Sequence, residues 1–341
     1  MKTWGVAVIG CGNIADFHFR ALKETKNARL VGVFSRSEEK ARKAAEANSC
    51  DWTTRLEDLL AREDVDLVDI VTSSGSHYSI ARQALEHGKH VWVEKPMTMR
   101  PEEARELIRL AENRGLLLSV VSQRRFETPV QAAKAAVDAG HLGKLLLVEV
   151  RTPFYRTQEY YDSAPWRGTL AEDGGALMNQ GIHQIDLLLY FGGKVKTVYG
   201  KTATQTHRME AEDMGLALLT FENGAFGTIM SSTSIQPGQQ SAVRIYGEKG
   251  SIGLTGASVT VWHVPGVPAP EEPQSQVSGG GASDPLSIPY DYHQKQLENI
   301  LQALESGSKP LVTGEDGLRA VELIHAIYQS SATGQEIRLG D

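Results

Sequence analysis

The sequence of 341 residues lacks the features that mark several classes of protein. It has two cysteines, Cys11 and Cys50, and no Cys-x-x-Cys pair, so neither a disulfide framework nor a zinc site is indicated. Its apolar runs, such as LLLSVV at 116–121, are far shorter than the roughly eighteen residues of a transmembrane helix. The opening MKTWGVAVIGCGN reaches Gly and Asn before a signal-peptide core could form. We therefore expect a cytoplasmic protein without a membrane partner.

Basic clusters are also absent. The net charge is −7, and the Lys and Arg residues are spread along the chain. We therefore expect no nucleic-acid partner. Apolar residues make up 41% and charged residues 23%, as in ordinary globular proteins. At roughly 150 residues per domain, the length predicts two domains with sizeable cores.

The first part of the chain, 1–122, alternates short Val-, Ile- and Leu-rich runs with amphipathic stretches. Such alternation predicts an α/β Rossmann domain, a doubly wound parallel sheet covered by helices on both faces. The expected strands are 4–10, 28–35, 65–72, 89–95 and 116–122, and the expected helices are 13–25, 37–48, 79–88 and 100–115.

The second part, 123–341, combines helical stretches with strand-like runs that are joined by turns. This pattern predicts an α+β domain for substrate binding and oligomerisation, with a large, mostly antiparallel open sheet. One face of such a sheet needs cover, so we expect a homodimer or homotetramer. The expected helices are 129–140, 174–193, 290–306 and 315–330; a long strand is expected at 144–156, hairpin turns at ENGA and GEKG, and a mobile loop at 264–289.

A glycine-rich turn follows the first predicted strand. Gly10 permits a tight turn, Gly12 lets the backbone approach a pyrophosphate, and Ala15 lets the next helix pack close to the sheet. Asn13 and Ile14 lead into that helix, whose N-terminus favours phosphate. The turn predicts dinucleotide binding rather than a purely structural bend.

The end of the second strand bears on the choice of cofactor. Ser35 and Arg36 stand where an acid that binds the ribose 2′-hydroxyl of NAD is expected. A hydroxyl and a guanidinium suit a 2′-phosphate, so NADP is favoured over NAD. The alternative is that Arg36 is simply solvated and that Glu38 or Glu39 binds NAD.

The segment WVEKPM at 92–97 places an acid, a base and a proline at the end of an apolar strand. Moving a hydride to or from a carbinol carbon requires a proton to reach or leave its oxygen. Lys95 lies at the carboxyl edge of the predicted sheet, where open α/β sheets bind ligands. A cationic nicotinamide and desolvation should lower the pKa of Lys95, and Glu94 should oppose them. The alternative is a surface lysine paired with Glu94.

Three segments, GCGNIA, EKP at 94–96 and DGGALMNQGIHQIDLL at 173–188, together resemble the Gfo/Idh/MocA oxidoreductase family over nearly the whole chain. Within it, SQRRF, YYDSAPWRGT and MNQGIHQID most resemble the branch that oxidises sugar-nucleotide uronic acids at the 3-hydroxyl. The resemblance implies a metal-free, NAD(P)-dependent dehydrogenase acting on a CH–OH group of a sugar, sugar nucleotide or cyclitol. A non-catalytic sensor with the same fold is the alternative.

The resemblance also implies roles for individual residues. Lys95 and His183 become the catalytic pair, with a cis peptide bond before Pro96. Further cofactor contacts are assigned to Thr72, Ser73, Ser74, His77, Glu94 and Lys95, although TSSGSHYSIA lacks the family's usual Pro and Asn before the histidine.

His183 follows Asn179 by four residues and precedes Asp186 by three, which on a helix places them on one face. We expect Asp186 to orient the imidazole and Asn179 to hold the substrate hydroxyl. The family usually has Asp where this chain has Asn179, and an amide cannot accept a proton. Lys95 is therefore the stronger candidate for the proton carrier, assisted by His183.

Aromatic rings flanked by arginines suit sugar stacking and carboxylate or phosphate recognition. The candidates for substrate binding, each of which could instead pack at a domain interface, are Arg124, Tyr161, Trp166 and Arg167.

Overall fold

A computed structural model describes residues 2–271 and 290–340 of the chain. The chain divides into two compact units. The first comprises Met1–Gln123 and Pro289–Leu318, and the second comprises Arg124–Ile288 and Arg319–Asp341. Most of the predicted loop at 264–289 lies outside the described residues.

The first unit contains a six-stranded parallel sheet in the order β3-β2-β1-β4-β5-β6. The central strands β1 and β4 are buried at every position, as expected for a sheet with both faces covered. The order reverses between β1 and β4, and such a switch point opens a ligand crevice at the carboxyl ends of the strands. The strands are β1 (Trp4–Ile9), β2 (Ala28–Phe34), β3 (Asp51–Thr53), β4 (Leu67–Ile70), β5 (His90–Val93) and β6 (Leu118–Val120), and the helices are α1 (Ala15–Glu24), α2 (Glu38–Asn48), α3 (Leu56–Leu60), α4 (His77–Glu86) and α5 (Pro101–Arg114).

The predicted Rossmann architecture is therefore confirmed, with two elements added. Strand β3 and helix α3 were not expected from the sequence. Strand β3 has three residues at the sheet edge and is largely exposed, so its sequence carries little apolar alternation. Helix α3 has five residues, too few for a helical period to stand out.

The second unit contains an eight-stranded sheet in the order β13-β12-β11-β7-β10-β9-β8-β14. Its pairs are antiparallel except for β7 with β10, which confirms the mostly antiparallel open sheet. Its elements are α6 (Thr128–Asp138), β7 (Leu145–Pro153), α7 (Gln158–Asp162), a π-helical segment (Ala176–Gly181), α8 (Ile182–Gly192), β8 (Val195–Ala203), β9 (Met214–Phe221), β10 (Phe226–Ser232), β11 (Ala242–Gly247), β12 (Ser251–Thr255) and β13 (Ser258–His263), and the chain closes with α9 (Asp291–Ser306), α10 (Gly314–Thr333) and β14 (Ile337–Arg338).

Helix α9 corrects the predicted division of the chain. The sequence analysis assigns all of 123–341 to the second domain, whereas α9 belongs to the first unit. Leu297, Ile300 and Leu301 of α9 are fully buried in the core cluster that also contains Val6 of β1. The apolar face of α9 is visible in the sequence, but the sheet against which it packs is not.

Within residues 2–271 and 290–340, no helix has both the length and the apolar content needed to cross a bilayer. The cytoplasmic location stays a prediction.

Candidate active site

The glycine turn lies between β1 and α1, as expected. Gly10 has a φ of +119°, and a Cβ built there would lie 2.6 Å from the carbonyl oxygen of Val71, so a larger residue is excluded. A Cβ at Gly12 would have no heavy atom within 4 Å, which leaves space for a bound group. Ala15 is fully buried at the start of α1. The turn, with Asn13 and Ile14 leading into the helix, thus fits a dinucleotide pyrophosphate.

Ser35 and Arg36 follow β2, at the carboxyl edge of the sheet. The Ser35 hydroxyl accepts a hydrogen bond from the backbone of Ser37 at 3.2 Å, and Ser37 caps α2 by accepting from the backbone of Lys40. Arg36 is exposed. The hydroxyl of Ser35 thus takes part in the turn, while the guanidinium of Arg36 is accessible to a 2′-phosphate.

His77 connects the ends of two neighbouring strands. Its ring is buried, with Nδ1 2.7 Å from the carbonyl oxygen of Pro96 and Nε2 3.2 Å from that of Thr72. Burial lowers the pKa of His77, and a neutral imidazole has a single N–H to donate. That N–H donates to one of the two carbonyl oxygens, and the buried ring lies between the segment after β4, which contains Ser73 and Ser74, and the segment after β5. A direct nicotinamide contact by His77 stays a prediction.

Lys95 lies directly after β5, and its peptide bond to Pro96 is cis, as the resemblance implied. The side chain of Lys95 is half-buried. Its backbone N–H donates to Oε2 of Glu94 at 3.0 Å. Glu94 is buried, which by itself would raise its pKa, but the hydrogen bond and charge of His18 and the charge of Lys95 hold that pKa well below the usual range.

The sequence analysis missed the side chains behind Glu94. His18 of α1 and His293 of α9 approach its carboxylate, with Nε2 atoms 3.3 Å and 3.9 Å from Oε1. Ligand atoms of His18, Glu94 and His293 lie within 4.8 Å of one another. His18 stands on the apolar face of α1, where a lone histidine looks like a packing residue, so spacing gave no signal.

In the second unit, a π-helical segment precedes α8. The expected helix 174–193 is interrupted here, since Ala176–Gly181 has π-helical hydrogen bonding and α8 starts at Ile182. Asn179 lies in the π-helical segment and His183 in the first turn of α8, so the α-helical spacing assumed for this pair is wrong. Both side chains are half-buried. Single π-helical turns often occur at functional sites.

Asn179 belongs to a connected group of polar side chains. Its Nδ2 donates to Oδ1 of Asp173, and its Oδ1 accepts from Nε2 of Gln180 at 2.9 Å. Arg156 donates to Oε1 of Gln180 at 3.0 Å. Asp173 is buried and its Oδ2 also accepts from the backbone of Gly168 at 2.8 Å. The amide of Asn179 is therefore oriented by a neighbouring carboxylate.

Two arginines and two aromatic rings lie beside that group. The Arg167 guanidinium lies 4.2 Å from the ring centroid of Tyr160 and 4.6 Å from that of Trp166. Arg156 lies 5.6 Å from the Tyr160 ring. Tyr161 is the ring predicted from the sequence, and its neighbour Tyr160 is the ring that both arginines approach. Paired guanidiniums beside aromatic surface suit a carboxylate or phosphate on a sugar.

Tyr161 and Arg124 make further hydrogen bonds within the second unit. The hydroxyl of Tyr161 donates to the hydroxyl of Thr233 at 2.8 Å, and burial raises the pKa of this phenol. Arg124 donates to Glu127 at 2.9 Å, to Ser241 at 2.7 Å and to the carbonyl oxygen of Gly256 at 3.2 Å. The ring of Tyr161 also packs against that of Tyr160, with centroids 5.1 Å apart. The roles of Tyr161 and Arg124 in substrate binding stay predictions.

Asp186 has a partner that the sequence analysis did not identify. Its two carboxylate oxygens accept from Arg125 at 2.6 and 2.9 Å, and both residues are buried. This bidentate ion pair holds α8 to the start of the second unit. Asp186 thus binds a guanidinium, and its orientation of the His183 imidazole stays a prediction.

Glu212 fixes the start of the π-helical segment. Its Oε1 accepts from the backbone of Leu177 at 2.8 Å and from the hydroxyl of Tyr328 at 3.2 Å, and its carbonyl oxygen accepts from the backbone of Ala176 at 2.8 Å. A Cβ at Gly175 would lie 2.2 Å from Glu212, which explains the glycine. Burial raises the pKa of Glu212 to about 7.

The strand order 3-2-1-4-5-6 and the glycine turn define a dinucleotide-binding protein of the Rossmann class. Residues 4–122 match the model of an oxidoreductase family with an NAD-binding Rossmann fold, and residues 130–253 match the GFO/IDH/MocA C-terminal domain. The chain therefore belongs to the Gfo/Idh/MocA family of nicotinamide-dependent oxidoreductases, as its motifs predicted.

Several relatives span most of the chain. The solved WlbA dehydrogenase of Bordetella pertussis, in complex with NADH and UDP-GlcNAcA, is 32% identical with a TM-score of 0.87, and the match covers 100% of both chains. The scyllo-inositol 2-dehydrogenase (NADP(+)) of Bacillus subtilis is 29% identical over 99% of this chain and 97% of its own. An uncharacterised oxidoreductase of Synechocystis is 30% identical over 73% of this chain and 71% of its own. The first agrees with the predicted branch.

Replacing Glu212 by Gln should remove one source of pH-dependent stability. Because the pKa of Glu212 is raised from 4.5 to about 7 in the folded protein, its stabilising contribution is present below the unfolded pKa and is lost as the pH rises through the folded one. The loss amounts to about 3 kcal/mol in the free energy of unfolding, at about 1.4 kcal/mol per pKa unit. Urea unfolding at about pH 5 and about pH 8 measures it.

Glu222→Gln, at an exposed hairpin position, is the matched control and should keep the wild-type pH dependence. An equal decline with pH in wild type and Glu212→Gln would contradict this assignment.

Proposed function

We propose that the protein transfers a hydride between a nicotinamide cofactor and a secondary alcohol of a sugar, sugar nucleotide or cyclitol, with Lys95 as the proton carrier and His183 assisting. The observation that carries the proposal is the position of Lys95. It stands at the carboxyl edge of the parallel sheet, where its backbone N–H donates to Glu94 and the carbonyl oxygen of the following Pro96 lies 2.7 Å from Nδ1 of His77. Ligands of this sheet class bind at that edge.

The proton assignment follows from the chemistry of the side chains. The cofactor supplies the hydride acceptor or donor when bound. The alcohol proton must pass to a base within hydrogen-bond reach. The neutral amine of Lys95, formed when its ammonium group loses a proton, can serve as that base. Asn179 cannot, because it is an amide, but its amide is oriented by Asp173 and can bind a hydroxyl. His183, in the first turn of α8, is the assisting group.

Substrate recognition by the second unit is proposed to centre on Arg156, Arg167, Tyr160 and Trp166. Two guanidiniums beside aromatic rings favour a sugar that carries a carboxylate, and similarity to a dehydrogenase crystallised with UDP-GlcNAcA supports a sugar-nucleotide uronic acid. Arg167 Nε is buried without a hydrogen-bond partner within residues 2–271 and 290–340, so it is open to an added acceptor.

The same proposal favours NADP over NAD as cofactor. Arg36 is exposed at the end of β2, where the adenosine ribose binds in this sheet class. Relatives include one crystallised with NADH and one named for NADP(+), so similarity alone leaves both open.

A second copy of the chain is proposed to cover the open face of the second sheet. Tyr199, Leu216, Leu218 and Phe226 are exposed, between 39% and 62%, and the strand register places them on that face. Tyr199 lies directly opposite Leu218 in the register, and exposed apolar residues grouped on one face of a sheet favour an interface.

Lys95→Met should lower kcat by about a thousandfold, because a thioether carries no proton, while the Kd for NADPH changes less than about threefold. A hydride-transfer assay over sugars, cyclitols and nucleotide-sugar uronates measures turnover, and fluorescence titration measures cofactor binding. Lys309→Met, an exposed lysine of the same unit, is the control and should behave as wild type. Near-normal turnover by Lys95→Met would exclude its proposed role.

Arg36→Ala should weaken NADP binding by about ten- to a hundredfold and leave NAD binding nearly unchanged, because a charge-assisted hydrogen bond contributes about 1.5–3 kcal/mol. Titration of both cofactors into wild type and variant measures this. Arg42→Ala, exposed on α2, should change neither. Tighter binding of NAD than NADP by the wild type would reject the preference.

Leu218→Lys should dissociate the assembly into single chains, because a lysine on the covered face must be desolvated. Light scattering should give at least about 74 kDa for wild type, twice the 37.2 kDa of one chain. Leu146→Lys serves as the control, because Leu146 is exposed on β7 but the alternation of side chains places it on the other face of the sheet. A wild-type particle of one chain would refute the assembly.

A further inference from the structure

A chain of buried polar side chains leads to Lys95 within the first unit. Nδ1 of His18 lies 2.9 Å from Oδ2 of Asp69, and its Nε2 lies 3.3 Å from Oε1 of Glu94. The other oxygen of Glu94 accepts from the backbone N–H of Lys95 at 3.0 Å. His18 and Asp69 are fully buried. The order of contacts is Asp69, His18, Glu94 and Lys95.

The two carboxylates define the charge state of His18. A neutral imidazole has one N–H and can donate to only one of them, whereas an imidazolium donates to both. Burial alone would lower the pKa of His18, but the charge of Asp69 and the hydrogen bonds to Asp69 and Glu94 raise it to about 10. The position of the ring between two carboxylates, at 2.9 Å from Asp69 and 3.3 Å from Glu94, favours the imidazolium at neutral pH.

We propose that His18 is a positioning residue for the reaction: as a buried imidazolium bound to Asp69 it orients the ionised carboxylate of Glu94, which in turn fixes the backbone of Lys95. The inference rests on the proposed role of Lys95 as proton carrier. His18 acts through Glu94, and Asp69 orients His18 from the opposite side.

The other groups that face this chain agree with the assignment. His293 of α9 has its ring centroid 5.2 Å from that of His18, and burial together with the His18 charge lowers the pKa of His293 to about 3, so it is neutral. Burial likewise lowers the pKa of His77, on α4. Burial raises the pKa of Asp69, and the charge and hydrogen bond of His18 counteract that rise. With Asp69 and Glu94 both ionised, two carboxylates face two cations, His18 and the Lys95 ammonium. With a neutral His18 the group would carry an uncompensated negative charge, which is costly in a buried site.

A divalent metal ion is the rival interpretation of the same residues. His18, Glu94 and His293 bring ligand atoms within 4.8 Å of one another. A metal requires a neutral His18 whose Nε2 points to the ion and not to Glu94. The two interpretations thus predict opposite protonation states for one ring.

Nitrogen-15 NMR of the histidine rings in the intact protein tests the charge state without an activity assay. Of the ten histidines, the ring assigned to His18 should keep both nitrogens protonated from about pH 5 to about pH 9, and its signals should vanish in His18→Gln. Should that variant not fold, Asp69→Asn identifies the same ring by shifting its signals.

A His18 ring that titrates near its ordinary pKa or stays neutral overturns the inference. So does one divalent metal ion per chain in elemental analysis that is lost in the same variant.

The pH profile of kcat/KM for alcohol oxidation tests the positioning. Glu94→Gln removes a negative charge beside Lys95, so the midpoint of the acidic limb should move to lower pH by about one unit or more. Glu112→Gln, exposed on α5, should leave the profile unchanged. His18→Gln retains an N–H donor toward Glu94 and should keep at least about ten times the kcat of His18→Leu, as one hydrogen bond to a charged group allows.

An unmoved profile in Glu94→Gln, or equal kcat values for the two His18 variants, would overturn the inference even if Lys95→Met is inactive. Full activity of Lys95→Met would instead reject the proposed function. The NMR test of the His18 charge state does not depend on that outcome.

Discussion

A buried carboxylate that remains ionised is the constraint on which the first unit depends. Glu94 lies at the end of an otherwise apolar strand, where burial opposes its charge, and only bonded cations and donors keep it ionised. This explains why polar His18 interrupts the buried face of α1 and why Asp69 interrupts the buried strand β4. The same carboxylate accepts the hydrogen bond of the Lys95 backbone N–H, so it supports the segment that contains Lys95 and also places a negative charge beside it.

The polar group of the second unit centres on an amide and not on a buried imidazolium and carboxylate. Where relatives of this family usually carry an acid, Asn179 presents an amide whose orientation is set by Asp173 and Gln180. That group can bind and orient a hydroxyl but cannot take its proton, which leaves proton transfer to groups that titrate. Glu212 keeps the segment bearing Asn179 in its π-helical form, through bonds to the backbone of Ala176 and Leu177.

Periodicity and turn residues were sufficient to predict the Rossmann sheet, the glycine turn and the position of Lys95, because these are local properties of the chain. Contacts between distant residues were not predictable in this way. His18 is separated by 51 residues from Asp69 and by 76 from Glu94, and nothing in their spacing shows that they meet. Spacing also did not single out Tyr160, which the arginines Arg156 and Arg167 approach, because it is adjacent in sequence to Tyr161.

The central claim is that Lys95 and His183 act on one carbinol group. A crystal structure with oxidised or reduced cofactor and a nucleotide-sugar uronate tests it most directly. The account predicts that the Lys95 amine and a ring nitrogen of His183 both lie within about 3 Å of the same substrate oxygen. Two nitrogens that face separate cavities, with the substrate carbon beside neither, would contradict it.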